Sequence, residues 1–326
     1  MTAVLEVSDL AVTFGARDGL VKAVDGVSFS VSRGEVLGLV GESGSGKSVT
    51  GLAIMGLIDA PGSIARGSIK FEGEELIGKT EDELRALRGR RMAMIFQDPM
   101  STLNPVLRVD TQMIETVQAH ERVSEKAARA RALEALGKVG IPSPEERLVA
   151  YPHQFSGGMR QRVAIAIALL HGPSLIIADE PTTALDVTIQ AQILSEVQRL
   201  AEETGTALVW ITHDLSVVAS LADRVAVMYA GKLVEEGGVA DVLTAPLHPY
   251  TSGLIGSVPS RNKRGVPLAQ ISGMTPSLAR LPPGCAFRPR CGRASDICTT
   301  APEATDFGHG RKARCFHPLV APEIAA

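Results

Sequence analysis

The chain has 326 residues, enough for one large core and a smaller appendage. Apolar residues make up 45% and charged residues 21%, which excludes a disordered or fibrous chain, and 33 basic against 36 acidic residues leave a net charge of −3, too little to draw in nucleic acid or an anionic surface. The longest apolar run, residues 163–170, falls far short of the ~20 needed to cross a bilayer, and MTAVLEVSDLAV lacks the basic start of a secretory signal, so the chain is expected in the cytoplasm unless a partner holds it at a membrane.

Short β-rich runs at 4–7, 11–14 and 27–31, separated by Gly-containing turns, predict an antiparallel subdomain. The unbroken apolar run VLGLV (36–40) predicts a strand buried on both faces, followed by a loop and a helix through Leu57. From about residue 99 to 154 strand signals stop. Ser124 there caps a segment whose Leu133, Leu136 and Val139 share a helical face before Gly140 ends it, so a helical insertion is expected. Strand character returns at 175–178, 207–211 and 225–229, with helical stretches at 187–203 and 215–222 between them, which implies a mostly parallel α/β sheet. Beyond about residue 245 the chain turns rich in Pro, Gly, Arg and Cys and loses periodicity, marking a small second domain.

Gly41-Glu42-Ser43-Gly44-Ser45-Gly46-Lys47-Ser48 fits G-x-x-x-x-G-K-[ST] and stands between a predicted strand and a predicted helix. Glycines let backbone N–H groups wrap phosphate oxygens at a helix N-terminus; Lys47 is then expected to reach the β and γ phosphates, and Ser48 to ligate Mg²⁺. Leu175-Ile-Ile-Ala178-Asp179-Glu180 sets two carboxylates at the end of a buried strand, where Asp179 suits Mg²⁺ and Glu180 suits activation of water. Taken alone, such a pair is more often a helix-capping turn.

Phe155-Ser156-Gly157-Gly158-Met159-Arg160-Gln161-Arg162 opens the helix just before that strand, and here the chain resembles the ATP-binding cassette (ABC) ATPases, over about residues 4–238. The resemblance implies an α/β P-loop fold: a RecA-like parallel core, an antiparallel β subdomain and a helical subdomain. It makes Phe14 the aromatic that stacks on adenine, Gln97 the Q-loop glutamine, Thr183-Ala184-Leu185-Asp186 the D-loop and His213 the switch histidine, with Val49 following the phosphate loop. Phe155 and Met159 depart from the usual L-S-G-G-Q, but Ser156, Gly157 and Gly158 keep the phosphate-facing donors. The catalytic residues so implied are Glu180, His213 and Gln97, with Gln97 joining Ser48 and Asp179 at Mg²⁺. Two such subunits would close head to tail on shared ATP and reopen on hydrolysis.

Phe96-Gln97-Asp98-Pro99-Met100-Ser101-Thr102-Leu103-Asn104-Pro105, FSGGMRQR and His248-Pro249-Tyr250-Thr251 resemble the oligopeptide/dipeptide and nickel importer branch of that family. The implied layout is an ATPase domain at 1–245, with its helical subdomain at about 98–160, and a Cys-containing domain at 246–326. The implied function is ATP hydrolysis that powers uptake of di- or oligopeptides, from the cytoplasmic face of the membrane. The implied partners are two permeases, a second ATP-binding subunit (identical or not) and an extracytoplasmic peptide-binding protein. Nickel or another cargo, an exporter, and a soluble ABC ATPase of DNA repair or translation stand as alternatives; the last usually carries coiled-coil arms or tandem cassettes.

All four cysteines lie in the tail: Cys285, Cys291, Cys298 and Cys315, spaced C-x5-C-x6-C-x16-C, which leaves the main domain without a thiol nucleophile. Four thiolates could surround a [4Fe-4S] cluster, as in some peptide-importer relatives; zinc with His309 or His317, or free thiols, remain the other readings. Stable disulfides do not suit a reducing cytosol.

Overall fold

The computed structural model describes residues 3–16, 19–98, 102–182, 187–259, 262, 265, 267 and 269–319. The chain forms two compact units, one of Met1–Val4, Val31–Glu35 and Gly78–Val209, the other of Leu5–Ser30, Val36–Ile77 and Trp210–Ala326.

The second unit holds a four-stranded sheet in the order β2-β1-β4-β5, from β1 (Ala3–Ala16), β2 (Gly19–Ser32), β4 (Gly62–Phe71) and β5 (Glu74–Glu75). Strand β4 runs antiparallel to both β1 and β5. The two short strands expected at 4–7 and 11–14 are thus one long strand. Its pairing with β4 slips between Ser8 and Val12, where Asp9 takes a left-handed φ of 47°, and Arg66 Nε donates to the Asp9 carboxylate at 2.8 Å. A bulge breaks the two-residue alternation while the strand continues.

The same unit contains β3 (Val36–Val40), all of whose residues are buried, paired in parallel with β9 (Arg224–Tyr229). Strand β10 (Lys232–Gly238) is antiparallel to β9, β12 (Lys312–Ala313) is antiparallel to β10, and β11 (Thr305–Asp306) pairs with β12. The tail therefore contributes strands despite its lack of periodicity. Glu235 fixes the departure of the chain from β10: its buried carboxylate accepts the backbone N–H of Leu247 (2.7 Å) and of His248 (2.8 Å). Arg311 approaches the same carboxylate at 3.4 Å, which partners a charge that could not otherwise be buried.

In the first unit, β6 (Met92–Ile95) pairs in parallel with β7 (Leu175–Asp179), Ile95 facing Ala178, and β8 (Ala207–Thr212) begins. This unit also holds helices Glu81–Leu87, Val109–Gln118, Glu125–Lys138, Pro144–Leu148, Gly157–Leu169 and Val187–Thr204, and those from Val109 to Leu148 lie where strand signals stop in the sequence. Ser124 caps its helix as expected, accepting from Ala127 N at 3.3 Å, and Gly140 follows with a left-handed φ of 68°. Leu136 and Val139 are buried as expected, while Leu133 is only half-buried and Ala128, Ala132 and Ala135 complete the buried face. Alanines let neighbouring helices approach more closely than leucines would, so apolar size alone understates the face. Among the described residues no helix is long and apolar enough to cross a membrane.

Gly38 illustrates how tightly β3 is covered, since a Cβ there would stand 2.7 Å from Val218 Cγ1 of the helix Leu215–Leu221. Gly38→Ala is expected to destabilise the full chain by about 1–3 kcal/mol through overpacking, read as a lower thermal midpoint.

Candidate functional site

The phosphate loop leaves β3 and enters the helix Lys47–Ile54. Two close approaches dictate its glycines. Gly41 (φ 155°) lies so near the backbone that a Cβ would sit 2.1 Å from Met228 O, and at Gly46 (φ 105°) a Cβ would meet Ala23 O at 2.4 Å. Lys47 is buried, and its ammonium donates to the carbonyls of Gly41 (2.8 Å) and Glu42 (3.0 Å). The Thr50 hydroxyl returns to Gly46 O at 3.0 Å, tying the first helical turn to the loop. Ser43, Gly44 and Ser48 are exposed, Val49 is half-buried, and the Ser45 hydroxyl is buried with no hydrogen-bond partner. An orphaned donor, backbone N–H groups at a helix start and a cation form a set that suits phosphate oxygens.

The same unit carries Phe14 and His213. Phe14 is half-buried on β1 opposite Gly62, where a Cβ would come within 2.5 Å of the ring. His213 is exposed just after β8, ahead of Asp214, which caps the helix Leu215–Leu221 by accepting from Ser216 N at 2.8 Å.

The other unit carries the carboxylates. Asp179 is the last residue of β7 and is buried; Glu180 follows with a left-handed φ of 45°, an uncommon conformation for a residue with a Cβ. Because β6 and β7 run in parallel register, Gln97 beyond β6 reaches it, and Gln97 Nε2 donates to Glu180 Oε2 at 3.2 Å. The structure thus joins two residues 83 positions apart. In this unit Ser156 caps the helix Gly157–Leu169, accepting from Met159 N at 3.3 Å, with Ser156 and Gly157 exposed. Phe155 is buried, so the aromatic in place of leucine is a core residue, and at Gly158 a Cβ would lie 2.6 Å from Ile189 Cγ2. The expected D-loop, Thr183 to Asp186, lies outside the described residues.

Comparison with known proteins agrees with these parts. Residues 24–183 match the family described as ABC transporter. The chain is 50% identical to the oligopeptide transport ATP-binding protein OppD of Escherichia coli over 97% of its own length and 94% of that protein. It belongs to the ABC transporter ATP-binding family. This ABC cassette is also 51% identical to the dipeptide transport ATP-binding protein DppD of Bacillus subtilis, over 91% of the chain and 89% of the relative. Its fold resembles a solved dimeric ATP-binding cassette in a post-hydrolysis state bound to ADP and Pi, with TM-score 0.65 and 29% identity over 72% of this chain and 98% of that one. Residues 234–298 match a second family, the oligopeptide/dipeptide transporter C-terminal region.

That C-terminal region of the cassette supplies residues the sequence pattern did not single out as functional. Arg290, almost fully buried, grips the carboxylate of Glu42 in the phosphate loop with both terminal nitrogens, at 2.6 and 3.0 Å, and Thr275 adds a bond at 2.9 Å. Burial raises the pKa of Glu42, but the Arg290 and Thr275 hydrogen bonds outweigh it and hold the carboxyl below its ordinary value. The partners stand 248 positions apart, with no motif to announce them.

The four cysteines share one neighbourhood. Burial pushes the Cys315 thiol up to about 11, and charge on Cys285, Cys291 and Cys298 pushes it the same way. Cys285 is raised too, by burial first and then by Cys298 and Cys291, and its N–H donates to Cys298 O at 3.0 Å. Among the described residues, however, no three His, Cys, Asp or Glu side chains stand where they would hold a metal ion.

His248 of the His-Pro-Tyr segment is buried, its Nδ1 accepts from Tyr250 N at 3.0 Å, and burial pushes its pKa down to about 4. The unfolded chain, with His near 6.5, takes up the proton first. The stability held by neutral His248 is therefore full above about pH 6.5 and is lost as pH falls towards 4, by up to about 3 kcal/mol. Comparing unfolding free energy at pH 7 and pH 5 in wild type and His248→Gln should show a smaller acid loss in the variant.

Proposed function

We propose that this chain is the ATP-hydrolysing subunit that powers uptake of di- or oligopeptides through a membrane importer. The observation that carries this reading is the near-complete alignment, at 50% identity, with an oligopeptide transport ATP-binding protein, extending through the C-terminal region. A solute such as nickel has no comparable support among these relatives. The proposed assembly has two membrane permeases, a second ATP-binding subunit, identical or different, and an extracytoplasmic peptide-binding protein, with this chain peripheral on the cytoplasmic face. The proposed division is an ATPase domain over 1–245, including a helical subdomain at about 98–160, and a C-terminal domain over 246–326.

In the proposed mechanism Phe14 stacks on adenine, while the N–H groups of residues 43–49 and the Ser45 hydroxyl take phosphate oxygens. Lys47 gives up its carbonyl partners for the β and γ phosphates. Ser48, Asp179 and Gln97 offer the hard oxygen donors that suit Mg²⁺, which when bound offsets charge on the β and γ oxygens. Glu180 takes a proton from the attacking water, oriented by Gln97, and His213 contacts the γ-phosphate. The Ser156-Gly157-Gly158 helix start, exposed at Ser156 and Gly157, faces the ATP of a second subunit, to which the D-loop Asp186 also contributes by the family likeness, so each ATP bridges two chains and its hydrolysis releases them. Cargo contacts belong to the permeases and the binding protein, which leaves this chain to supply only the stroke.

For the cysteine tail the finer proposal is one [4Fe-4S] cluster on Cys285, Cys291, Cys298 and Cys315. It is supported by the all-thiol donor set and by the shared neighbourhood in which burial first, and the other thiols after it, raise Cys285 and Cys315; among the described residues the side chains as they stand do not converge on a metal position, so a cluster requires them to move. Iron and acid-labile sulfide in anaerobically purified protein test it, and their absence alongside bound zinc would favour the zinc reading.

Glu180→Gln should bind ATP at wild-type affinity while hydrolysing it about 10²–10⁴-fold more slowly, and should accumulate as a closed dimer; Lys47→Ala should lose nucleotide affinity instead. In the native host, a chromosomal Glu180→Gln should abolish uptake of a labelled peptide mixture. Unchanged peptide uptake would direct the assignment to another cargo.

A further inference from the structure

We infer that Tyr250 and Arg290, both from the segment that follows the nucleotide-binding fold, are positioning residues that hold the phosphate loop in its binding shape. The inference rests on reading residues 41–48 as the ATP loop, and the point of attachment is Glu42.

Every polar group of Glu42 is engaged. Its backbone N–H donates to the Tyr250 hydroxyl at 2.8 Å, its carbonyl accepts from Lys47 Nζ at 3.0 Å, and its carboxylate takes the two-pronged grip of Arg290 together with the Thr275 hydroxyl. Three of these four side chains come from beyond residue 245, and the fourth is the lysine on which phosphate binding depends. Lys47 has one acceptor on Glu42 and one on its neighbour Gly41, so a loop that shifts at Glu42 also shifts the lysine's partners.

The gripping residues are themselves fixed. Arg290 has a side chain only 5% exposed; its Nε donates to Ser272 O at 3.0 Å, and its guanidinium carbon lies 5.9 Å from the ring centres of both Tyr229 and Phe287. Tyr250 is fully buried against Tyr229, with ring centres 4.5 Å apart, and against Phe287 at 5.4 Å. Tyr229 ends β9, the strand paired with the one that launches the loop. A rigid aromatic cluster thus backs two hydrogen-bonding tips that touch a loop made flexible by its glycines. Such support acts by removing loop conformations that ATP would otherwise have to select against, which appears in affinity rather than in the chemical step.

The test uses the full-length chain and Mg-ATP, with affinity from calorimetry on the chain and KM and kcat from phosphate release by the chain assembled with its second ATP-binding subunit. Arg290→Gln is expected to weaken ATP affinity and raise KM about tenfold with kcat within about twofold, and Tyr250→Phe, which removes only a hydroxyl, to raise KM about threefold with an unchanged thermal midpoint. Glu42→Gln combined with Arg290→Gln should be no weaker than the worse single variant, because both remove the same contact. Wild-type affinity in Arg290→Gln and Tyr250→Phe, with only the melting temperature lowered, would overturn the inference. Should Arg290→Gln fail to fold, Tyr250→Phe decides it alone. Lys47→Ala separates the two levels: if it binds ATP normally, the loop assignment itself falls, whereas its expected loss beside unaffected Arg290→Gln and Tyr250→Phe defeats only the positioning role.

Discussion

The buried ammonium of Lys47 has to be satisfied, and in this chain two carbonyls of its own loop, Gly41 and Glu42, do so. Carbonyls can face inward only if the loop curls tightly, and the curl brings Gly41 and Gly46 against the backbone at Met228 and Ala23, where no side chain fits. The strand-to-helix junction, the glycine pattern and the cover by β9 are therefore one constraint seen from three sides. On the proposed function, a polyanion exchanges for those carbonyls without any need for the loop to be rebuilt, because the cation is already held where the backbone N–H groups gather.

The second requirement is that the loop keep this curl. A glycine-rich segment gains little from its own side chains, and here the stiffness is supplied by Tyr250, Thr275 and Arg290, all meeting at Glu42. The C-terminal region is anchored in turn by Glu235 on β10, whose carboxylate collects the first N–H groups of the His-Pro-Tyr segment. Burial of Glu235 would be costly without those donors and Arg311, so strand and tail fold as one network. The C-terminal region thereby does more than append a cysteine motif.

In the other unit, parallel register between β6 and β7 brings Gln97 to Glu180, and the left-handed backbone at Glu180 turns its carboxylate off the strand line. Phe155 and Gly158 anchor the exposed start of the Ser156 helix by packing. On the proposed function, hydrolysis and clamping draw on two structurally different devices, a strand end and a helix start.

Much of the chemistry was legible in the sequence because it depends on local rules. The phosphate loop reads from glycine and lysine spacing, β3 and β7 from unbroken apolar runs, the Ser124 cap from its side chain, and the order of motifs from the family likeness. The sequence by itself determined the candidate segments for ATP, since each motif is a short segment whose geometry follows from backbone freedom and side-chain type. Tertiary structure alone decided the continuity of β1 through its bulge, the part that Ala128, Ala132 and Ala135 take in the buried face of the helix Glu125–Lys138, and the Glu42–Arg290 contact. The first depends on the partner strand, the second on how close a neighbouring helix comes, and the third on side chains 248 positions apart. Such pairings carry no periodicity or spacing in the chain, because they are fixed only when folding brings distant backbone together and buried charge must find its partner.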